Sequence, residues 1–145
     1  MQLPAEIAIV WLATVSWTVA PTPSVRGITT GVSHACALWS DGATKCWGWN
    51  GGGQLGLGDI DDRGNDVGEM GDRLPTVDLG SGRYAQALFA GWWFTCALLD
   101  DGSVKCWGGK ASIGLGETIN RGDHPASMGD YLPAVNLGAG RTAVA

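Results

Sequence analysis

Positive charge is scarce in this chain. Nine Lys and Arg are scattered over 145 residues against fourteen Asp and Glu, for a formal net charge of −5. A nucleic-acid surface needs clustered basic residues to displace phosphate counterions, so direct binding of DNA or RNA is not expected. Long apolar runs are also missing. The longest, Ile7 to Ala20 (IAIVWLATVSWTVA), has fourteen residues. A regular transmembrane helix needs about 20, so no stable membrane span is expected. Catalytic signatures are missing as well: no G-x-S-x-G, HExxH, P-loop or dinucleotide fingerprint is present. No paired catalytic groups stand out, so the chain reads as a non-enzyme, with no cofactor and no metal.

Glycine is abundant, at 24 residues, and there are eight tryptophans. Many glycines punctuating apolar and aromatic stretches indicate many short strands. Helical periodicity is not evident outside the ambiguous N-terminal run. That run has the length of a signal-peptide h-region, and Thr18-Val19-Ala20 resembles a small-residue cleavage site. The absence of Lys or Arg before it, Glu6 at its edge and Pro21 after it oppose that reading. A buried strand pair, or a start inside a longer protein, is the alternative.

The chain repeats itself. CALWSDGATKCWG (Cys36 to Gly48) returns as CALLDDGSVKCWG (Cys96 to Gly108), with nine of thirteen positions identical. The offset is 60 residues here and 58 from Leu55/Ile113 onward. The length change falls in WNGGGQ (Trp49 to Gln54), replaced by GKAS (Gly109 to Ser112). A glycine-rich surface turn tolerates such variation. MGDRLPTVDLGSGR (Met70 to Arg83) matches MGDYLPAVNLGAGR (Met128 to Arg141). The organisation expected is an N-terminal segment and linker over 1–25, repeats over 26–83 and 84–141, and the opening of a third over 142–145.

Each repeat reads as a set of strands. GITTG and ALFAG are entry strands, CALW and TKCWG form a hairpin, and LPTVDLG and LPAVNLG alternate apolar and polar. A three-residue hairpin loop places its last residue at positive φ, which Gly42 and Gly102 supply. That count sets Cys36 opposite Cys46 and Cys96 opposite Cys106. Directly opposed Cα atoms lie about 4.5–5.5 Å apart, within disulfide range. One disulfide per hairpin and free buried cysteines both stay open. A four-cysteine zinc site is disfavoured, because no close C-x2–4-C pair exists. Disulfides would imply an oxidising compartment: secreted or cell-surface if they and the leader hold, cytoplasmic otherwise.

These residues resemble the repeats of the regulator of chromosome condensation family, in the cysteine-containing version similar to tandem repeats of many microbial proteins. The pattern is carried by Gly31, His34, Cys36, Ala37, Leu38, Asp41, Gly42, Lys45, Cys46, Trp47 and Gly48. It continues through Gln54 to Asp59, and then Leu74, Pro75, Val77, Leu79 and Gly80. The resemblance implies an all-β fold: β-propeller blades, each a four-stranded antiparallel sheet, here two blades of a seven-bladed type. Two blades cannot close a ring, so a piece of a longer propeller, or self-association through exposed blade faces, is expected. The function implied is a non-catalytic protein-interaction or scaffold module. Guanine-nucleotide exchange on a small GTPase, and a structural piece of a larger secreted or cell-surface protein, are the alternatives.

The surface candidates are the two long loops. Asp59, Asp61, Asp62, Arg63 and Asp66 mark the first, and Arg121 and Asp123 the second, as places for a protein partner of unknown identity. Asp59, Asp61 and Gly64 fit EF-hand positions one, three and six, but Arg63 and Met70 occupy five and twelve. Arg121-Gly122-Asp123 spells RGD, whereas the first copy reads Arg63-Gly64-Asn65, so drift between repeats explains it. His34 is matched by Phe94, which favours a packing role. Trp47 and Trp107 recur, as packing residues do, whereas Trp39, Trp49, Trp92 and Trp93 do not recur in kind. The motif GWWFT (Gly91 to Thr95) has the glycine, tryptophan and threonine of the family's ultraviolet-B photoreceptor motif but lacks its arginine.

Overall fold

A computed structural model describes residues 20–109 and 113–144. Residues 1–19, and with them the leader reading of the apolar run, lie outside the described residues. Among the described residues, six strands form two antiparallel sheets of three: β1 (Val25–Thr30), β2 (His34–Trp39) and β3 (Thr44–Gly48), then β4 (Ala85–Ala90), β5 (Phe94–Leu99) and β6 (Val104–Gly108). Each sheet is a meander in chain order. Among the described residues, no helix is long and apolar enough to cross a membrane.

The hairpin register is the one the turn chemistry predicts. Leu38 pairs with Thr44, Ala37 with Lys45 and Cys36 with Cys46. The second copy pairs Cys96 with Cys106. Gly42 and Gly102 sit at φ +83° and +78°, a conformation that L side chains resist. Asp41 and Asp101 accept backbone N–H bonds from Ala43 and Ser103, both at 3.0 Å, a self-bonding habit that favours Asp in turns. Both facing cysteine pairs are disulfide-bonded, with Cα atoms 4.1 and 4.0 Å apart. Among the described residues there are no free cysteines, and the zinc reading falls with them.

The propeller-type blades hold, but among the described residues each sheet has three strands where four are expected. The segments 74–80 and 132–138 make no ladder. Val77 donates to Thr44 O (2.8 Å) and Val135 to Val104 O (2.7 Å), so each lies beside the hairpin's last strand. Pro75 and Pro133 have no N–H to add. Asp78 O accepts from Gly129 N and Leu79 O from the Lys105 ammonium. The first segment's carbonyls thus turn to the next repeat instead of to β3. Side-chain alternation survives: Val77 and Leu79 are buried while Thr76 and Asp78 are exposed.

One core joins the two sheets. Cys36, Leu38, Cys46, Val77 and Leu79 from the first repeat pack with Ala97, Leu99, Trp107, Met128 and Leu132 from the second. Leu55, fully buried, lies in the same cluster. The loop carrying it crosses from the first repeat onto the second. At that crossing Gly53 and Gly122 meet backbone to backbone, so that a Cβ on Gly122 would lie 2.3 Å from Gly53 O. Only glycine permits that approach.

Candidate functional site

The loops gathered at one end of the two sheets form the candidate interaction surface. Two backbone bonds gather them. Trp49 N donates to Ser33 O (2.8 Å) and Gly109 N to Trp93 O (2.7 Å). Each ties the segment after the hairpin to the turn before it. The turns touch across repeats as well, since a Cβ on Gly31 would lie 2.3 Å from Gly91 O. Trp49 of the first repeat therefore meets Trp93 of the second, with ring centroids 6.5 Å apart and planes tilted by 58°. Trp92 is 74% exposed, Trp93 57% and Trp49 41%. Exposed aromatics grouped in this way mark binding surfaces.

The acidic loop begins beside this patch. Gly48 and Arg63 form a two-bond bridge. The Asp62 carboxylate accepts the Asn50 N–H at 2.7 Å. Asn50 is fully buried and holds the loop from inside: its amide donates to Asp59 O (2.9 Å), and its oxygen accepts from Leu55 N (3.0 Å). Glu69 closes the loop's far side. One of its oxygens accepts N–H bonds from Gly64, Asn65 and Asp66. Those donors, Asp66 first, hold its carboxyl below the usual carboxylate range.

The loop residues singled out in the sequence have different placements. Asp61 and Asp66 are exposed, whereas Asp59 and Asp62 are half-buried. Arg63 is turned inward, paired with Asp59 at 2.6 Å and donating to Asp61 O and Asp62 O. Arg121 is likewise paired with Glu117. The RGD tripeptide is held within the fold, because Gly122 is buried against Gly53 and the Arg121 guanidinium is engaged. Asp123 is half-buried, 3.8 Å from the His124 ring. Among the described residues, no group of three or more His, Cys, Asp or Glu is placed to hold a metal ion.

The tryptophan patch was not put forward as a binding surface from the sequence. Its signal was there: Trp92, Trp93 and Trp49 stand where the other repeat has Val32, Ser33 and Gly109. A repeat constrained only by packing has no need of such aromatics.

His34 is a packing group. It is buried, and its Nε2 lies 2.9 Å from the Thr95 hydroxyl. That hydroxyl donates to Gln54 O (3.0 Å). Its single proton is thereby used, so His34 must carry its own proton on Nε2 and be the donor. Nδ1 is buried without a partner, and burial pushes the imidazole pKa down. His34 is thus a neutral link between repeats.

Two antiparallel sheets of one design, stacked through a shared core, define blades of the β-propeller class. The chain carries repeats of the regulator of chromosome condensation family. The family's repeat model, "Regulator of chromosome condensation (RCC1) repeat", matches residues 86–109. The chain is similar to the ultraviolet-B receptor of Arabidopsis thaliana, 31% identical over 99 residues that make up 67% of this chain and 21% of the receptor. Among solved structures it resembles the Saccharomyces cerevisiae protein Prp20p (TM-score 0.54, 19% identity, 81% of this chain and 26% of that one). It also resembles human WBSCR16 (TM-score 0.54, 21% identity, 71% and 25%). The chain therefore spans about a quarter of these relatives' length.

Proposed function

We propose that the chain is a non-catalytic protein-interaction module whose binding end is the Trp49–Trp92–Trp93 patch with the acidic loop 59–66 beside it. The repeat units are taken as 26–83 and 84–141. The observation that carries the reading is the exposure of three tryptophans contributed by both repeats at one end of the stack. Rings held on a scaffold pay little ordering entropy on binding, which makes them effective anchors. The carboxylates of Asp61 and Asp66 add a negative rim that favours Lys- or Arg-bearing segments. Prp20p, a neighbour in fold, is described by its binding to Gsp1p and histones, and a protein partner for this chain is in keeping with that. Asp123 and Arg121 belong to the second loop, where Arg121 shapes the loop and Asp123 adds to the acidic surface.

The test is selection from a random peptide display library on the disulfide-intact chain. Enriched peptides should carry apolar or aromatic residues with Lys or Arg. Their affinity should fall about tenfold or more with Trp93→Ala, and less with Asp61→Asn, in keeping with anchors dominating rims. Binders indifferent to both substitutions would refute the reading.

A further inference from the structure

The interface between the two repeats has a socket side and a plug side. On the socket side, in the second repeat, Trp107 Nε1 donates to Gln54 O at 3.1 Å and Lys105 Nζ donates to Leu79 O at 2.9 Å. Gly129 N donates to Asp78 O at 3.1 Å, and Asp130 accepts from Ser81 N at 2.8 Å. Trp107 and Met128 are buried there, at 0% and 4% exposure.

The first repeat has the same socket, which none of the described residues fills. Trp47, Lys45, Gly71, Asp72 and Met70 stand where Trp107, Lys105, Gly129, Asp130 and Met128 stand in the second. They line a mainly apolar concavity of about 560 Å³. Met70 is 43% exposed and Trp47 half-exposed. Lys45 Nζ reaches Gly71 O at 2.8 Å, as Lys105 reaches Gly129 O at 2.8 Å. The second carbonyl, given to Lys105 by the neighbouring repeat, is not among Lys45's contacts with the described residues.

The second repeat has the matching plug, likewise uncovered by the described residues. Leu137, the counterpart of buried Leu79, is 45% exposed. Gly114 repeats the backbone of Gly56, at φ 71° against 69°. One pair changes in concert. Inside the chain, polar His34 meets polar Thr95. Their counterparts on the open surfaces are Phe94 and Ala35, both apolar. A plug from the second repeat docked into the first repeat's socket would set Phe94 against Ala35, with no polar atom stranded.

We propose that this chain associates head to tail with a second copy of itself, repeat 2 of one copy entering the Trp47 socket of the next. The argument is independent of the aromatic end proposed above as a binding surface. Such a contact is heterologous, so it extends into a ring or an open row according to the rotation per copy.

The test is sedimentation or light scattering of the full disulfide-intact chain against concentration. Wild type should rise from one chain mass to multiples of it. Trp47→Glu blocks the socket and Phe94→Glu the plug, so each variant alone should stay monomeric. Their equimolar mixture should form a dimer and stop there, since each keeps the half the other has lost. Should either glutamate variant misfold, Phe94→His serves instead: it sets an imidazole against Ala35 and should weaken association about tenfold or more, in line with a buried donor left unpaired. A wild type that stays monomeric at every concentration overturns the proposal. So does a mixture that stays monomeric, a Trp47→Glu chain that associates like wild type, or association lost instead with Trp92→Ala.

Discussion

The two disulfides close loops of equal size but lie in different surroundings, and removing them one at a time separates loop entropy from burial. Each joins residues ten apart in sequence. For that separation the chain-entropy model gives about 9 cal/mol/K, or about 3 kcal/mol at 25 °C, for either bridge. The double variant Cys96→Ala with Cys106→Ala should lose about that much in urea unfolding. The pair Cys36→Ala with Cys46→Ala should lose more. Both sulfurs there are fully buried between the repeats, and Cys36 Sγ lies 3.8 Å from the Thr95 hydroxyl. The cavities left add about 1–2 kcal/mol, on the scale of buried methyl-sized deletions. Burial also orders chemical access: Cys96 is half-exposed, whereas Cys36 and Cys46 are not. Limited reduction followed by alkylation and peptide mapping should label Cys96 and Cys106 first. Equal losses from the two double variants, together with simultaneous labelling, would refute the claim that one bridge is sandwiched between repeats and the other faces outward.

Other outcomes follow from the same contacts. Because burial lowers the folded-state pKa of His34, the unfolded chain binds a proton there more readily. Stability should be intact above the ordinary value of 6.5 and fall as the pH drops below it; His34→Phe should flatten that slope in thermal melts between pH 7.5 and 5. Gly122→Ala should cost about 2 kcal/mol or more in denaturant unfolding, because its Cβ would strike the Gly53 carbonyl at a strained positive φ. Glu69→Gln should loosen the loop 64–69, read as faster amide exchange at Gly64, Asn65 and Asp66, with little change in global unfolding. Guanine-nucleotide release from a panel of small GTPases should be unaffected by the chain; stimulation would favour the exchange reading.

The hairpin, its register and the cysteine pairing were legible because they rest on local chemistry. An Asp-Gly turn of known length places Cys36 opposite Cys46 without any knowledge of the rest of the chain. The recurrence of β1–β3 as β4–β6 matches the self-similarity of the sequence. The fourth strand was misjudged, because alternation in LPTVDLG reports which side chains are buried. It does not report where the backbone bonds go, and Asp78 O and Leu79 O go to the next repeat. The roles of Arg63 and Arg121 were hidden for a similar reason: their carboxylate partners, Asp59 and Glu117, sit four residues before them inside the same loops. The meeting of Trp49 with Trp93 depends on stacking of the two sheets, which no local pattern encodes.

That stacking is the central claim, and the repeated tryptophan tests it most directly. Trp47 and Trp107 occupy the same place in the motif, yet only Trp107 is wholly buried under the neighbouring repeat and bonded to Gln54 O. In paired urea titrations at a concentration where the chain is monomeric, Trp107→Ala should cost about 3–5 kcal/mol, the range for a buried large aromatic. Trp47→Ala should cost well under half as much. Equal costs, or a larger one at Trp47, would contradict the arrangement in which the first repeat closes over the second.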